Sequence, residues 1–245
     1  MSNFLDNALD NVRRGAIGVA RRALPQRCEL CAGASGADLL CRGCVQALPR
    51  LGAACPACAL PTPAGEICGA CLAEPPPYDA TLAAFAYAFP VDRLMHAFKY
   101  HGRLALAEWC ALAIAERRRG SAAAPPQRLI AVPLAPERQR QRGYNQAFEI
   151  ARVLARHWRI PLVRGGVHRV RAALPQAALP WSERAKNVRG AFVCELDLEG
   201  LSIAVVDDVM TTGASLAELA ATLRRAGAAR IENWVVARTL PPSAG

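Results

Sequence analysis

No stretch of the chain strings together the roughly 18 apolar residues that a membrane-spanning helix needs, which argues against an integral membrane protein. Aromatic residues are scarce, at 6%, so the chain is poorly equipped to read nucleic acid mainly by stacking; Tyr144, Trp158 and Trp181 are the nearest candidates. Charged residues reach only 20%, too few for a disordered chain, and a hydrophobic share of 53% supports a buried core. Histidine is rarer still. His96, His101, His157 and His168 make no metal-ligand or triad spacing and read as packing or surface residues. What remains, over 245 residues, is room for one α/β domain with a small appendage.

Charge is present, but in one place. Residues 128–190 hold 13 Lys/Arg against 3 Asp/Glu, which leaves 17 bases and 17 acids for the rest of the chain. A surplus so confined marks a local anion site or a nucleic-acid face, not a uniformly basic surface. At the N-terminus, Phe4, Leu5, Leu9, Val12, Ala16 and Val19 follow a helical period, with acids early and bases late. Asp6 and Asp10 interrupt any secretory apolar core. The expectation over 1–24 is an amphipathic helix that docks on the protein or on a partner, with a membrane-surface anchor as the lesser alternative. The expected location is the cytoplasm.

Eight of the ten cysteines fall in CxxC pairs: Cys28/Cys31, Cys41/Cys44, Cys55/Cys58 and Cys68/Cys71. The second two pairs repeat the first two at an offset of 27 residues, an internal duplication. Each CxxC turn can present two thiolates, and two turns complete a tetrahedral zinc site. Gly33, Gly36, Gly43, Pro56 and Gly69 supply the bends. A segment with so few large apolar side chains cannot build its own core, whereas a structural zinc contributes on the order of 10 kcal/mol. One or two zinc ions are expected. The repeat favours sequential pairing within each half, with an interleaved arrangement still open. A redox CxxC would come singly, and a disulfide framework would need an oxidising compartment. Cys110 and Cys194 lie outside the pattern and read as buried thiols.

Pro75, Pro76 and Pro77 mark the exit from this module. The expected organisation is a helix over 1–24, a double zinc ribbon over 25–75 and an α/β domain over 76–240. A strand at 79–89 is followed by helices at 91–99 and 103–119. Next come a strand at 128–132, a helix at 144–158, an irregular basic stretch over 161–180 and a short helix from 181. A strand at 201–206, a helix at 215–226 and a strand at 230–238 complete the pattern. Alternation with β-branched strands predicts a parallel sheet covered by helices on both faces.

The stretch from Leu201 to Ser215, LSIAVVDDVMTTGAS, is the most informative. An apolar strand runs into Asp207 and Asp208, then into Thr211, Thr212, Gly213, Ala214 and Ser215 at the head of a helix. Such a turn points backbone N–H groups at one anion, and the helix adds its positive end. There is no Walker lysine, which disfavours an NTPase. Two carboxylates beside a phosphate repel it by roughly 4 kcal/mol at 4 Å and an effective dielectric near 20. They belong there if they accept sugar hydroxyls or face a divalent ion. The combination fits a ribose 5-phosphate group, and a solvated acidic turn leaves the ordered set unexplained.

VVDDVMTTGAS resembles the phosphoribosyl-diphosphate (PRPP) signature of type I phosphoribosyltransferases. That resemblance assigns Asp207 and Asp208 to the ribose hydroxyls and Thr211 through Ser215 to the 5-phosphate. Over about residues 25–238 the chain is similar to the ComF-like (competence protein F) family, which joins a double zinc ribbon to this domain. The likeness is carried by the paired cysteines, Phe98–Gly102 (FKYHG), Val132-Pro133-Leu134, Arg142–Gln146 (RGYNQ), and Gln176 with Arg184, Asn187, Gly190, Ala191 and Phe192. It implies a phosphoribosyltransferase-like parallel sheet flanked by helices, with an N-terminal double zinc ribbon. One departure is Ala173, where the family usually has threonine.

The resemblance further implies that Pro133 and Leu134 contact diphosphate, with Arg138, Arg142, Gln176 and Arg184 around it and Mg²⁺ carried by PRPP. Arg140 adds charge between Arg138 and Arg142, and Arg169, Arg171, Lys186 and Arg189 add charge on a stretch suited to closing over an anion. Two functions follow. One is a glycosyltransferase that moves a phosphoribosyl group to an acceptor. The other is a non-catalytic, nucleic-acid-binding or scaffold component of DNA uptake, with single-stranded DNA and a competence helicase as partners.

Overall fold

The computed structural model describes residues 26–121, 123–170 and 188–241. The helix expected over 1–24 and the one expected from 181 lie outside the described residues, as do Gln176, Arg184 and Ala173. Two compact units divide the chain, Met1–Leu48 and Pro49–Gly245.

In the first unit, β1 (Gln26–Arg27) pairs antiparallel with β2 (Ala34–Gly36), and α1 spans Arg42–Gln46. The Cys28 amide donates to the Gly33 carbonyl at 2.8 Å, the Ala32 amide donates back to the Cys28 carbonyl at 2.9 Å, and Ala32 sits at φ +57°. Cys41 then caps α1.

The second unit opens by repeating this backbone 27 residues later. Cys55 N–H donates to Leu60 O, Ala59 N–H donates to Cys55 O, both at 2.8 Å, and Ala59 sits at φ +56°. Cys68 caps α2 (Gly69–Ala73). The duplication read from spacing thus extends to a left-handed alanine at the same place in each copy.

From there the chain builds β3 (Ala80–Ala86), α3 (Val91–Tyr100), α4 (Leu106–Arg119) and β4 (Arg128–Ala131). These are followed by α5 (Pro136–Arg142), α6 (Gln146–Trp158), β5 (Val167–Arg169) and β6 (Phe192–Cys194). The last three elements are β7 (Ser202–Met210), α7 (Ala214–Arg225) and β8 (Arg230–Arg238). A four-stranded sheet runs in the order β3-β8-β7-β4, parallel throughout. Its core strands carry the longest β-branched runs, and Ile203, Val205, Val206, Ile231, Val235 and Val236 are buried. Helices α4 and α6 pack together against the sheet. Among the described residues no helix is long and apolar enough to cross a membrane.

Three departures from expectation shape the site. β7 runs to Met210 rather than ending at Val206, because β8 pairs with it as far as Met210↔Arg238. β4 stops opposite Val206, so Asp207 through Met210 project beyond it. An extra helix, α5, begins with Pro136 in its first turn and ends at Gly143, φ +76°, so the helix expected at 144 starts instead at Gln146 behind an Asn145 cap. Within the stretch expected to be irregular, β5 pairs with β6 as an antiparallel ribbon. Cys110 is buried as expected, whereas Cys194 is half-buried.

Candidate functional site

Parallel α/β sheets bind ligands outside the carboxyl ends of their strands. Here a cavity of about 220 Å³ opens past the end of β4, against the last residues of β7. Its floor is Asp207 and Asp208. It is also lined by the turn of Thr211, Gly213, Ala214 and Ser215 and by Pro133, Leu134, Arg138 and Arg142. Of the site residues expected from sequence, these ten border the cavity. Thr212 does not, and Gln176 and Arg184 lie outside the described residues.

The turn is built as the sequence suggests, with one exception. Gly213 caps α7 at φ +86°, a conformation that side chains resist, and its carbonyl accepts the Ala217 amide at 2.8 Å. The exception is Thr212, whose hydroxyl accepts the Ala214 amide at 3.3 Å and so serves the turn itself. Asn145 holds the other loop. Its Nδ2 donates to Val132 O at 3.0 Å while its Oδ1 accepts the Phe148 amide at the head of α6.

The two acids have different surroundings, as neighbours on a pleated strand must. Lys99 Nζ of α3 pairs with Asp208 Oδ2 at 2.9 Å, with side chains 18% and 11% exposed. Asp208 Oδ1 accepts the Val209 amide at 2.6 Å. Burial works against the Lys99 charge, but Asp208 outweighs it and holds the ammonium above its ordinary value. Asp207 accepts a local bond, from the Asp208 amide at 2.8 Å. Burial, and then the charge of Asp208, push its carboxyl up to about 7, with the Asp208 amide, Lys99 and Arg169 pulling the other way.

Four cations and two carboxylates border the cavity: Lys99, Arg138, Arg142 and Arg169 against Asp207 and Asp208. Once Lys99 and Asp208 neutralise each other, the balance favours a polyanion. Arg169 lies 5.3 Å over the Phe192 ring, and burial and Arg138 lower its pKa while Asp207 raises it. Arg142 leans on Tyr100 at 5.2 Å and donates to Gln146 Oε1 at 3.1 Å. Gln146 is 1% exposed, and its Nε2 has no hydrogen-bond partner among the described residues. A buried amide donor beside an anion cavity fits a ligand oxygen. Lys99, Asn145 and Gln146 were not assigned to the site by sequence reasoning, and Arg169 was named there only for its charge. The first three stand in the FKYHG and RGYNQ stretches, which were the available signal.

Both cysteine tetrads fit zinc. In each, four Sγ atoms lie within 4.8 Å of one another, and pairing is sequential: Cys28, Cys31, Cys41, Cys44, then Cys55, Cys58, Cys68, Cys71. The Cys31–Cys41 and Cys58–Cys68 separations are 3.7 and 3.6 Å. Tetrahedral bonds of about 2.3 Å place sulfurs about 3.8 Å apart. Burial opposes the Cys28 thiolate, but the amides of Cys41, Cys31 and Leu30 prevail and bring it to about 6. In the repeat, the amides of Cys68, Cys58 and Ala57 bring Cys55 to about 7.

Comparison with known proteins bears on both parts. Residues 19–72 match the family model described as a double zinc ribbon domain. The DNA utilization protein YhgH of Salmonella typhi is 34% identical over 211 residues, 82% of this chain and 91% of that protein. Competence protein F of Haemophilus influenzae is 34% identical over 156 residues, 61% of this chain and 68% of that protein. Among solved structures, a purine phosphoribosyltransferase from Pyrococcus horikoshii OT3 aligns with 54% of this chain and 82% of its own, at 18% identity and a TM-score of 0.33.

Proposed function

The chain belongs to the ComF-like (competence protein F) family, in which a double zinc ribbon is joined to a phosphoribosyltransferase-like domain, and from that premise we propose that its cavity binds PRPP or a related phosphoribosyl compound together with Mg²⁺. The observation that carries this is one juxtaposition. The Gly213 turn at the head of α7, the Asp207 carboxyl and the guanidinium groups of Arg138 and Arg169 meet in a single cavity.

Each part of the ligand has a counterpart. The turn and the positive end of α7 take the 5-phosphate. Asp207 takes ribose hydroxyls or the Mg²⁺ that neutralises the diphosphate, and Asp208, held by Lys99, fixes the floor. Pro133 and Leu134, with Arg138, Arg169 and Gln146, face the diphosphate. Gln176 and Arg184 belong to the same proposed set. This is the donor half of a transferase site, and the anion-binding pocket accounts for part of the basic surplus over 128–190.

The names of the relatives, DNA utilization protein and Competence protein F, support a place in DNA uptake or use. Calorimetry with PRPP and Mg²⁺ tests the binding reading: the wild type gives one site per chain, and Asp207→Ala weakens it at least tenfold. Equal binding by both proteins would remove the assignment. Diphosphate release across nucleobases and amines then separates transfer from binding alone.

A further inference from the structure

Behind the anion turn lies a buried cation that no part of the ligand touches. Arg238, the last residue of β8, is 2% exposed and does not border the cavity. Its guanidinium is spent on backbone carbonyls. Nε donates to Cys58 O at 2.8 Å, and Nη1 donates to Met210 O at 3.2 Å, to Thr239 O at 2.8 Å and to Thr211 O. Among the described residues no carboxylate lies within ion-pair distance of it.

A buried guanidinium without a carboxylate is costly unless something else supplies negative charge. Zinc held by the four thiolates of the second tetrad, whose Cys58 carbonyl accepts from Arg238 Nε, would leave a net negative centre close to it. Tyr78 makes a second link. It is buried, it interacts electrostatically with Cys58, Cys71 and Arg238, and its hydroxyl lies 3.4 Å from where a Cβ on Gly213 would stand. The knuckle is also tied to the sheet edge, since the Thr81 amide of β3 donates to Pro56 O at 2.8 Å.

The grip on Met210 O and Thr211 O has a geometric consequence. In a planar trans peptide the C=O and the following N–H point in opposite directions. Holding those two carbonyls toward Arg238 therefore turns the N–H groups of Thr211 and Thr212 away from it, in a turn whose Thr211 and Gly213 border the cavity.

We propose that the second cysteine tetrad is a working part of the anion site: zinc held by Cys55, Cys58, Cys68 and Cys71 fixes the Cys58 carbonyl, and Arg238 passes that position to the turn that receives the phosphate. Arg238 is a positioning residue. None of the bonds in this relay involves a residue of the first tetrad. The two zinc sites, near copies in sequence and backbone, thereby differ in role. The proposal rests on the phosphoribosyl reading, and the experiment separates the two.

Cys44→Ser and Cys71→Ser alter equivalent positions of the two repeats. Zinc content and PRPP–Mg²⁺ affinity are measured for both, for Arg238→Met, for Arg238→Lys and for the wild type. Each cysteine variant is expected to lose about one zinc per chain, with affinity falling at least tenfold in Cys71→Ser and staying within about twofold in Cys44→Ser. Arg238→Met keeps both zincs and loses at least tenfold in affinity. Arg238→Lys recovers little, because one ammonium cannot span the same carbonyls. If Cys71→Ser does not fold, the zinc-replete Arg238 variants still decide the matter. Wild-type affinity in Arg238→Met, or equal weakening in the two cysteine variants, overturns the relay while leaving the phosphoribosyl reading intact. No PRPP binding by the wild type overturns both.

Discussion

Replacing Lys99 by methionine tests how the cavity floor is held. The substitution keeps length and apolar stem and removes the charge that sits 2.9 Å from Asp208 Oδ2. At that distance the attraction is about 6 kcal/mol for an effective dielectric near 20. Desolvation of both groups returns most of it, so the pair itself contributes little net stability. Breaking it from one side is different. Asp208, 8% exposed, is left charged beside Asp207, and the expected loss is about 3–5 kcal/mol. Lys99 also pulls the Asp207 carboxyl down, so its removal leaves that carboxyl further above its unfolded value. A carboxylate raised on folding destabilises above its unfolded value and is relieved as pH falls, so the loss is larger at pH 8 than at pH 5.5. Urea unfolding of the zinc-saturated protein at both values measures this. Lys99→Met/Asp208→Asn should recover much of the loss, since the neutral pair buries no orphan charge. A cost below about 1 kcal/mol at pH 8, unchanged at pH 5.5, would refute the reasoning and place the pair with solvated surface bridges.

Two further outcomes follow from the same geometry. Asp207, raised to about 7 by burial and by Asp208, holds a proton in the folded state that the unfolded chain releases near pH 4, so stability declines as pH rises between those values. Asp207→Asn should flatten that slope in urea unfolding and exceed wild-type stability at pH 8, by at most about 4 kcal/mol. Gly213→Ala places a Cβ 2.6 Å from Met210 Cε, a side-chain end that can move, but the left-handed backbone cannot be relieved so easily. A cost of about 1–2 kcal/mol is expected in unfolding, with at least a tenfold loss of PRPP affinity at unchanged zinc content. Unaltered affinity would show that the turn does not need its shape.

What was legible in the sequence was local. The turn from β7 into α7 could be read because strand, acids, glycine and helix start follow one another within fifteen residues. The repeat could be read because ligand spacing survives duplication, and the backbone repeats it down to Ala32 and Ala59. Pairs distant in sequence could not be read. Lys99 meets Asp208 across 109 positions and Arg238 meets Cys58 across 180, and no periodicity announces either. The two aspartates looked like one device because they are adjacent, but the pleat that makes them neighbours gives them different partners. Helix α5 carried a Pro at its start and a Gly at its end, signals outweighed by its seven-residue length. The ribbon strands β5 and β6, three residues each, are too short for alternation to register.

The claim on which the account depends is that one cavity receives a phosphorylated ribose. Crystals grown with PRPP and Mg²⁺ test it directly. The account predicts the 5-phosphate within hydrogen-bond distance of the backbone amides between Thr211 and Ser215, with Asp207 facing a ribose hydroxyl or the metal. A ligand seated elsewhere, with the Gly213 turn bare and Asp207 facing away from it, would contradict it.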